Sequence, residues 1–230
     1  MATVGSTGST DRGRGDWPAV SPLMMPPDWR PPTFETPRLV LRAFEEADAD
    51  PLFLLAANPA VTRFTLWEAH QTVADTRVFV CDYARSRYAE GVPEPYAVCL
   101  TADRGSPIGA VGVFWASQPN RTMELGYWLG EPFWGAGLMA EACRVVIDHA
   151  FASYAPERLQ ARVIAGNTAS ARVLEKLGFR PEGTLRAALY HRGRAEDVLF
   201  FSRLKAEWAG GAPPATSGGP GRPAPAGQTE

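Results

Sequence analysis

Two glycines separated by one residue stand between a predicted strand and a predicted helix, and their spacing suits phosphate binding. The strand ends at Leu129, and Gly135 and Gly137 come directly before an apolar helical pattern. Glycine allows the backbone N–H groups of such a loop to turn toward one point, and a helix N-terminus adds the positive end of its dipole. An ordinary turn explains the same residues, so this segment alone leaves both interpretations open.

Two common phosphate-binding motifs are absent from this segment. No Gly-Lys-Ser/Thr follows the loop, and Ala140 stands where a dinucleotide-binding motif needs its third glycine. The sequence therefore excludes a P-loop nucleotide triphosphatase and disfavours a dinucleotide-binding fold.

A second pair of polar residues opens a short predicted helix later in the chain. Asn167 is a suitable helix cap, and Ser170 lies in the first turn. Capping alone accounts for both residues. The alternative is that they present polar groups to a ligand lying between two strands.

The glycines and prolines of the chain are concentrated at its two ends. Residues 1–32 and 209–230 hold about half of the 22 glycines and 21 prolines. Such segments bury too little apolar surface to offset the entropy lost on ordering. We therefore predict a disordered leader over residues 1–32, one domain over residues 33–208 and a disordered tail over residues 209–230.

Charge, cysteine spacing and hydropathy exclude several classes of protein. A formal net charge of −2 and an isoelectric point near 6.0 argue against bulk nucleic-acid affinity. Cys81, Cys99 and Cys143 have the spacing of neither a zinc site nor a disulfide framework, so we predict no metal and a cytoplasmic location. No apolar signal region opens the chain, and its longest apolar run is too short to span a bilayer. We expect a monomer or homodimer without membrane or direct nucleic-acid partners.

Hydrophobic periodicity predicts seven strands and four helices. The strands are predicted over residues 38–44, 96–101, 108–116, 122–129, 159–165, 180–189 and 196–205. The helices are predicted over residues 45–58, 72–89, 135–151 and 168–177. Short links make the three central strands an antiparallel meander. The predicted fold class is α/β, with a mixed, mostly antiparallel twisted sheet.

In this order the elements resemble the GNAT superfamily of N-acetyltransferases, and more narrowly its RimJ/RimL-like branch, which acts on ribosomal-protein N-termini. The resemblance covers residues 36–208 and is carried by segments 36–42, 124–129, 134–138, 167–170, 174–179 and 197–208. One departure is Pro132, which stands where the family's Arg/Gln-x-x-Gly-x-Gly loop has Arg or Gln. This removes a charged or polar clamp but leaves the backbone donors of the loop.

The resemblance implies an acyl-CoA N-acyltransferase fold, about seven strands flanked by about four helices, with acetyl-CoA as co-substrate. The loop at 135–140 would take the pyrophosphate, and the strand ending at Leu129 would splay from the strand at 159–165. The pantetheine arm would pair with the edge of residues 127–129, with Asn167 on its other side. The implied cofactor-binding residues are Trp128, Leu129, Trp134, Gly135, Ala136, Gly137, Leu138, Met139, Asn167 and Ser170.

The acceptor amine must be neutral to attack a thioester, and the resemblance assigns this proton transfer to Glu124. An α-amine has a reference pKa of about 7.7–8.0, so a carboxylate acting through water suffices as base. The alternative for Glu124 is an exposed strand residue or a salt-bridge partner. Ser170 would donate a proton to the leaving thiolate, with Tyr190 as its rival, and the backbone N–H near Leu129 would polarise the carbonyl oxygen.

The identity of the acceptor stays open. A protein N-terminal α-amine of the ribosomal-protein alanine or serine type, a small amine such as a polyamine, and an aminoglycoside-type amine all fit. Residues 61–68 would line the acceptor groove or form a plain loop, and Glu68, Glu94 and Glu124 would make the groove acidic. No cysteine or serine is paired with a base at triad-like positions, so we predict direct transfer. A non-catalytic acyl-CoA-binding or sensor module is the alternative, which Pro132 favours.

Overall fold

The computed structural model describes residues 30–92, 94–208 and 216–217. Its strands are β1 (Thr33–Glu35), β2 (Leu39–Arg42), β3 (Tyr96–Leu100), β4 (Asp103–Ser117), β5 (Thr122–Leu129), β6 (Arg158–Ile164), β7 (Arg180–His191), β8 (Arg194–Leu204) and β9 (Thr216–Ser217). They form one sheet in the spatial order β7-β8-β6-β5-β4-β3-β2-β1-β9. Neighbouring strands run antiparallel, except that β5 and β6 are parallel.

The α-helices of the described residues are α1 (Ala49–Ala56), α2 (Pro59–Thr62), α3 (Val73–Arg77), α4 (Ala84–Ala89), α5 (Leu138–Tyr154) and α6 (Thr168–Lys176). Local chemistry sets several of their ends. Pro59 stops α1 and opens α2, where the Asn58 side chain accepts a hydrogen bond from Ala60 N. A π-helical segment (Val78–Tyr83) joins α3 to α4, so the second predicted helix is present with an interruption. No helix of the described part is long and apolar enough to cross a membrane.

Two apolar layers lie on opposite faces of the sheet. On one face α5 buries residues such as Ile147 against Met123 and Leu125 of β5. On the other face Leu52 of α1 and Val80 of the π segment pack in a separate cluster, with Trp128 against it. Because side chains alternate along a strand, β5 places its odd-numbered residues toward α5 and its even-numbered residues toward α1 and the π segment.

The predicted fold class is confirmed. The structure differs from the prediction in the number of strands and in where one helix begins. All seven predicted strands are present, and β1 and β9 are added to them. Helix α5 begins at Leu138 rather than at Gly135, because both glycines of the loop adopt left-handed backbone conformations. Most of the predicted leader and tail lies outside the described residues. Within the predicted tail, Thr216–Ser217 pairs with β1 instead of forming coil.

Candidate active site

Strands β5 and β6 form a fork. Their parallel pairing is limited to three residue pairs: Thr122 with Arg158, Met123 with Leu159 and Glu124 with Gln160. Beyond Glu124, β6 stays paired with β8 as far as Ile164, and β5 stays paired with β4 as far as Leu129. The edge of β5 over residues 125–129 is therefore open, as the resemblance implied.

The open edge of β5 presents backbone groups to the fork. The carbonyl of Leu129 accepts a hydrogen bond from Trp134 Nε1 at 2.7 Å, and Trp134 lies outside the sheet. The N–H and C=O of one strand residue point to the same edge, and residues two apart share that edge. The N–H groups of Leu129 and Tyr127 therefore point into the fork, where an extended ligand can pair with them like an added strand.

The loop before α5 has the geometry of an anion-binding site. Gly135 and Gly137 have φ angles of +77° and +76°. The Cβ position of Gly135 is free of neighbours within 4 Å, and that of Gly137 has Arg38 Nη2 at 3.8 Å. Within the described residues, no backbone N–H group of residues 135–140 has a hydrogen-bond acceptor. These free donors at the N-terminus of a 17-residue helix fit a pyrophosphate group.

A contact with the start of the domain braces this loop. Arg38 donates from Nε to Glu141 Oε2 at 2.7 Å and from Nη1 to the Ala136 carbonyl at 2.9 Å. Thr36 Oγ1 donates to Glu141 Oε1 at 2.6 Å. Burial raises the pKa of Glu141, but the hydrogen bonds from Thr36 and Arg38 outweigh it and hold the pKa below its ordinary value. Sequence reasoning assigned neither Arg38 nor Glu141 to the loop.

The helix α6 places a hydroxyl pair beside the fork. Asn167 Oδ1 accepts a hydrogen bond from Ser170 N at 3.2 Å, so Asn167 does cap α6. Ser170 Oγ lies 2.9 Å from Tyr127 Oη, which also donates to the Ser170 carbonyl. Burial raises the pKa of Tyr127, so its hydroxyl keeps its proton at neutral pH. The sequence analysis had no role for Tyr127 in this pair.

Glu124 lies at the point where the fork opens. The residue is 8% exposed, and both carboxylate oxygens have donors. Oε1 accepts from Arg162 Nε at 2.8 Å, and Oε2 accepts from Gln160 Nε2 at 2.9 Å. The geometry is that of a salt-bridge partner, which was the alternative to a base.

A comparison of the sequence with known protein families identifies the family to which this site belongs. Residues 38–180 match the acetyltransferase (GNAT) domain. The chain belongs to the GNAT acetyltransferase family. It is an N-acetyltransferase, as the sequence predicted. Solved structures that share its fold contain coenzyme A or acetyl-CoA, which agrees with acetyl-CoA as the predicted co-substrate.

Relatives of this GNAT chain include characterised and uncharacterised enzymes. The uncharacterized N-acetyltransferase p20 of Bacillus licheniformis is 34% identical over 178 residues, covering 77% of this chain and 99% of that protein. The ribosomal-protein-serine acetyltransferase of Escherichia coli (strain K12) is 30% identical over 97 residues, covering 42% of this chain and 54% of that protein. A solved structure of RimL, a ribosomal L7/L12 alpha-N-protein acetyltransferase in complex with coenzyme A, superposes with a TM-score of 0.66 at 24% identity. It covers 75% of this chain and 97% of that one.

Three predicted cofactor-binding residues of the GNAT site face away from the fork. The side chains of Leu138 and Met139 are buried in the core, so they offer only their backbone N–H groups. The side chain of Trp128 packs on the opposite layer, and its carbonyl oxygen points toward Gly109 of β4. A role for Trp128 at the cofactor stays a prediction without a contact that supports it.

Tyr190 lies at the tip of the β7–β8 hairpin of the GNAT fold. The residue is 77% exposed, and its hydroxyl donates to the Gly193 carbonyl at 3.1 Å within the same turn. The hydroxyl proton of Tyr190 is therefore held inside the turn. Ser170, which lies beside the fork, is better placed of the two predicted proton donors.

The β7–β8 turn also closes over the predicted acceptor groove. Arg192 Nη2 donates to the Thr62 carbonyl at 2.8 Å and forms an ion pair with Glu68 at 3.3 Å. His191 Nε2 lies 2.8 Å from the Thr65 carbonyl oxygen. These contacts join the hairpin to the segment between α2 and α3, so the acceptor side of the site is bridged.

Proposed function

We propose that this GNAT enzyme transfers an acetyl group from acetyl-CoA directly to a protein N-terminal α-amine of the ribosomal-protein alanine or serine type. The observation that carries the transfer step is the fork between β5 and β6, followed by the free N–H groups of residues 135–140. The acceptor class is supported by the relatives that are named ribosomal-protein acetyltransferases.

On the donor side, backbone groups supply most of the proposed contacts. Bound acetyl-CoA supplies the acetyl group as a thioester. The N–H groups of residues 135–140 bind the pyrophosphate, and the edge of residues 127–129 pairs with the pantetheine arm. The N–H of Leu129 polarises the thioester carbonyl. Asn167 uses its side-chain oxygen on α6, which leaves its amide nitrogen for the arm.

The proton for the leaving thiolate comes from Ser170 in this proposal. Ser170 Oγ and Tyr127 Oη share a hydrogen bond of 2.9 Å, so Tyr127 orients the serine hydroxyl, and solvent returns a proton to the serine. Tyr190 remains the rival donor. No acyl-enzyme is needed, because an amine attacks a thioester readily once it has lost its proton.

A panel of amines tests the proposal. The purified full-length chain is incubated with acetyl-CoA and one of four amines: an Ala-starting hexapeptide, a Ser-starting hexapeptide, spermidine or kanamycin. A Ser-starting peptide blocked at its α-nitrogen serves as the control. Thiol release gives the rate, and mass spectrometry locates the acetyl group. We expect turnover of the free peptides, with the acetyl group on the α-nitrogen. Turnover of spermidine or kanamycin alone would refute the acceptor class.

A non-catalytic acyl-CoA-binding or sensor module is the second candidate. Two observations favour it. Pro132 stands in place of a charged or polar residue, and both carboxylate oxygens of Glu124 already accept hydrogen bonds within the protein. Acetyl-CoA binding by calorimetry without turnover of any amine would support this candidate. Under both candidate functions we propose a cytoplasmic location. Cys81, Cys99 and Cys143 are free thiols, which is typical of proteins in a reducing compartment.

A further inference from the structure

A second carboxylate borders the acceptor-facing side of β5. Glu94, just before β3, is only 6% exposed. Its Cβ lies 2.4 Å from the position that a Cβ on Gly112 would occupy, so Glu94 packs directly on the backbone of β4. Gly112 pairs with Gly126 of β5, whose own Cβ position has no neighbour within 4 Å. We call Gly112 and Gly126 the glycine floor, and Glu94 stands at its β4 end.

The glycine floor lies on the same face as the predicted acceptor groove. Opposite residues of an antiparallel pair project to one face, and so do residues two apart along a strand. Glu124 and Trp128 therefore project to the same face as Gly126. Trp128 contacts Trp67 edge-on, with 5.4 Å between the ring centroids. The floor thus lies between two carboxylates, next to an aromatic pair and beside the open edge of the fork.

The two carboxylates differ in what their oxygens contact. Both oxygens of Glu124 have donors, from Arg162 and Gln160. In Glu94 a single oxygen, Oε1, accepts from both Tyr83 Oη and Arg87 Nε, each at 3.0 Å. Glu94 Oε2 has no hydrogen-bond partner among the described residues, and it lies 3.3 Å from the Cβ position of Gly112.

A carboxylate oxygen that receives no hydrogen bond from a neighbouring side chain is free to accept one from a ligand. An ammonium group is the ligand that such an oxygen binds best, and the open Cβ position of Gly126 leaves room for it. The structure therefore offers one carboxylate oxygen, rather than two, to an incoming amine.

We propose that Glu94 is the catalytic base of this enzyme and that its Oε2 binds the acceptor ammonium group over the glycine floor. Glu124 is then a positioning residue, fixed by Arg162 and Gln160 at the opening of the fork. This inference rests on the proposed function and names the residue that handles its acceptor.

The electrostatic environment of Glu94 suits this task. Burial raises its pKa above the ordinary glutamate value, and the nearby charge of Glu124 adds to the rise. Arg87 and Tyr83 act in the opposite direction without cancelling it. A base is most effective when its pKa lies near that of the proton donor and the working pH, so a raised carboxyl pKa favours proton transfer from an amine.

The proposed step balances in atoms and charge. Glu94 Oε2 takes one proton from the ammonium group, and the freed nitrogen lone pair forms the bond to the thioester carbonyl carbon. The carbon–sulfur bond breaks, the second proton leaves the nitrogen, and the sulfur takes a proton from Ser170 or solvent. Each turnover converts one ammonium group and one thioester into an amide, a thiol and one released proton.

Substitution at the two carboxylates separates their roles. With the Ser-starting hexapeptide as acceptor, Glu94→Gln should lower kcat/KM by roughly 10²–10³ near pH 7, which is typical of a lost general base. The loss should shrink as the pH rises past the α-amine pKa of about 8, where solvent deprotonates the amine. Acetyl-CoA affinity, measured by calorimetry, should change less than twofold, because the cofactor binds elsewhere. If Glu94→Gln keeps kcat/KM within twofold while Glu124→Gln loses activity with this pH recovery, the assignment is wrong.

Glu90→Gln is the matched control. Glu90 is an ion-pair partner of the same Arg87, at 2.7 Å, and its side chain is 60% exposed. The chemical change is the same, but Glu90 is linked to Glu94 only through Arg87. We expect this variant to keep wild-type kcat/KM. An equal loss in both variants would mean that the Arg87 network, rather than the base, had been removed.

Tyr83→Phe keeps the test decisive if Glu94→Gln does not fold. Loss of the hydrogen bond to Oε1 should raise the pKa of Glu94 further, so the acid limb of the kcat/KM profile should move to higher pH. A profile with an unmoved acid limb would exclude Glu94 as the titrating base, since Tyr83 donates to Glu94 whereas the donors to Glu124 within the described residues are Gln160 and Arg162.

Carbon-13 NMR of labelled glutamate carboxyls gives a readout that does not need turnover. The free hexapeptide should shift the Glu94 resonance, and the peptide blocked at its α-nitrogen should not. A wild-type enzyme that acetylates no amine would refute the proposed function, yet this titration would still report whether Glu94 binds an ammonium group. No shift in an active enzyme would refute the Glu94 assignment alone.

Discussion

Replacement of Gly137 by valine should raise the acetyl-CoA Kd by roughly tenfold or more in a chain that still folds. Gly137 has a φ of +76°, and only Arg38 Nη2, at 3.8 Å, lies near its Cβ position. The added side chain therefore meets no crowding, and its cost to the fold is the left-handed backbone alone. That cost is roughly 1–2 kcal/mol per residue, or a few degrees in Tm for a domain of this size.

The cost to binding arises because the loop must hold its N–H groups toward the pyrophosphate. A hydrogen bond to a charged group contributes about 1.5–3 kcal/mol, so the loss of one such bond raises the acetyl-CoA Kd by roughly 10- to 100-fold. Isothermal calorimetry on the folded variant measures this change directly.

Gly178→Val supplies the matched control for Gly137→Val. Gly178 has a φ of +79° and meets only the flexible side chain of Arg203, at 3.6 Å or more. Its backbone strain is thus equivalent, but it lies after α6 and offers nothing to the phosphates. We expect a similar drop in Tm and an unchanged Kd. A Gly137→Val variant that folds and binds acetyl-CoA within twofold of wild type would refute the role of the loop.

Three further predictions concern the brace, the hydroxyl pair and a buried histidine. Arg38→Met should raise the acetyl-CoA Kd roughly two- to tenfold, because the variant loses a hydrogen bond to the loop worth about 0.5–1.5 kcal/mol; calorimetry checks it. Ser170→Ala should lower kcat about 100-fold without changing acetyl-CoA affinity, whereas the exposed Thr168→Ala should leave both unchanged in steady-state assays. Burial lowers the pKa of His149 to about 4 from 6.5, so the unfolded chain binds more protons between these values and stability falls as pH falls from about 6.5 to 4. His149→Phe should flatten this part of the Tm–pH curve; an unchanged slope would contradict the assignment.

Local sequence patterns predicted the elements that depend on local chemistry. Hydrophobic alternation predicted a strand over residues 122–129, and β5 has these bounds, because a strand projects its side chains alternately to two sides. Gly135 and Gly137 were interpreted as residues that let a loop turn its N–H groups, and both adopt left-handed backbone conformations, although the predicted helix began three residues too early. Asn167 was interpreted as a cap, and its side chain does accept from Ser170 N.

Contacts between segments that are distant in the chain could not be predicted from local sequence patterns. The hydrogen bond between Arg38 and Glu141 joins residues that are 103 positions apart in the chain. No sequence pattern near either residue indicates this contact. Tyr127 alternates as a packing residue would, and only the fold shows that its hydroxyl meets Ser170. For these residues the sequence supplied the side chains, and the sheet topology determined their partners.

The sequence also failed to predict the π-helical segment and the burial of Glu94, for a different reason. Hydrophobic spacing predicts a helix over residues 72–89 but does not distinguish a widened turn from a regular one. A glutamate before a strand is ordinarily solvated, so nothing local predicts that Glu94 is buried. One signal was available: Gly112 and Gly126 interrupt two predicted strands, and a glycine within a strand often marks a close approach by other groups.

The three residue pairs that join β5 to β6 also make a mechanical seam. On one side of it, β1 to β5 and β9 are joined by backbone hydrogen bonds. On the other side, β6, β7 and β8 are joined in the same way into a second group of strands. Local opening starts where the fewest backbone hydrogen bonds must break, so amides on both sides of the seam should exchange with solvent before those inside either group of strands. A co-substrate that pairs with the free edge of β5 while touching α6 would span the seam. Acetyl-CoA would then slow exchange in both halves at once, and its binding energy would hold the sheet together as well as serve the reaction.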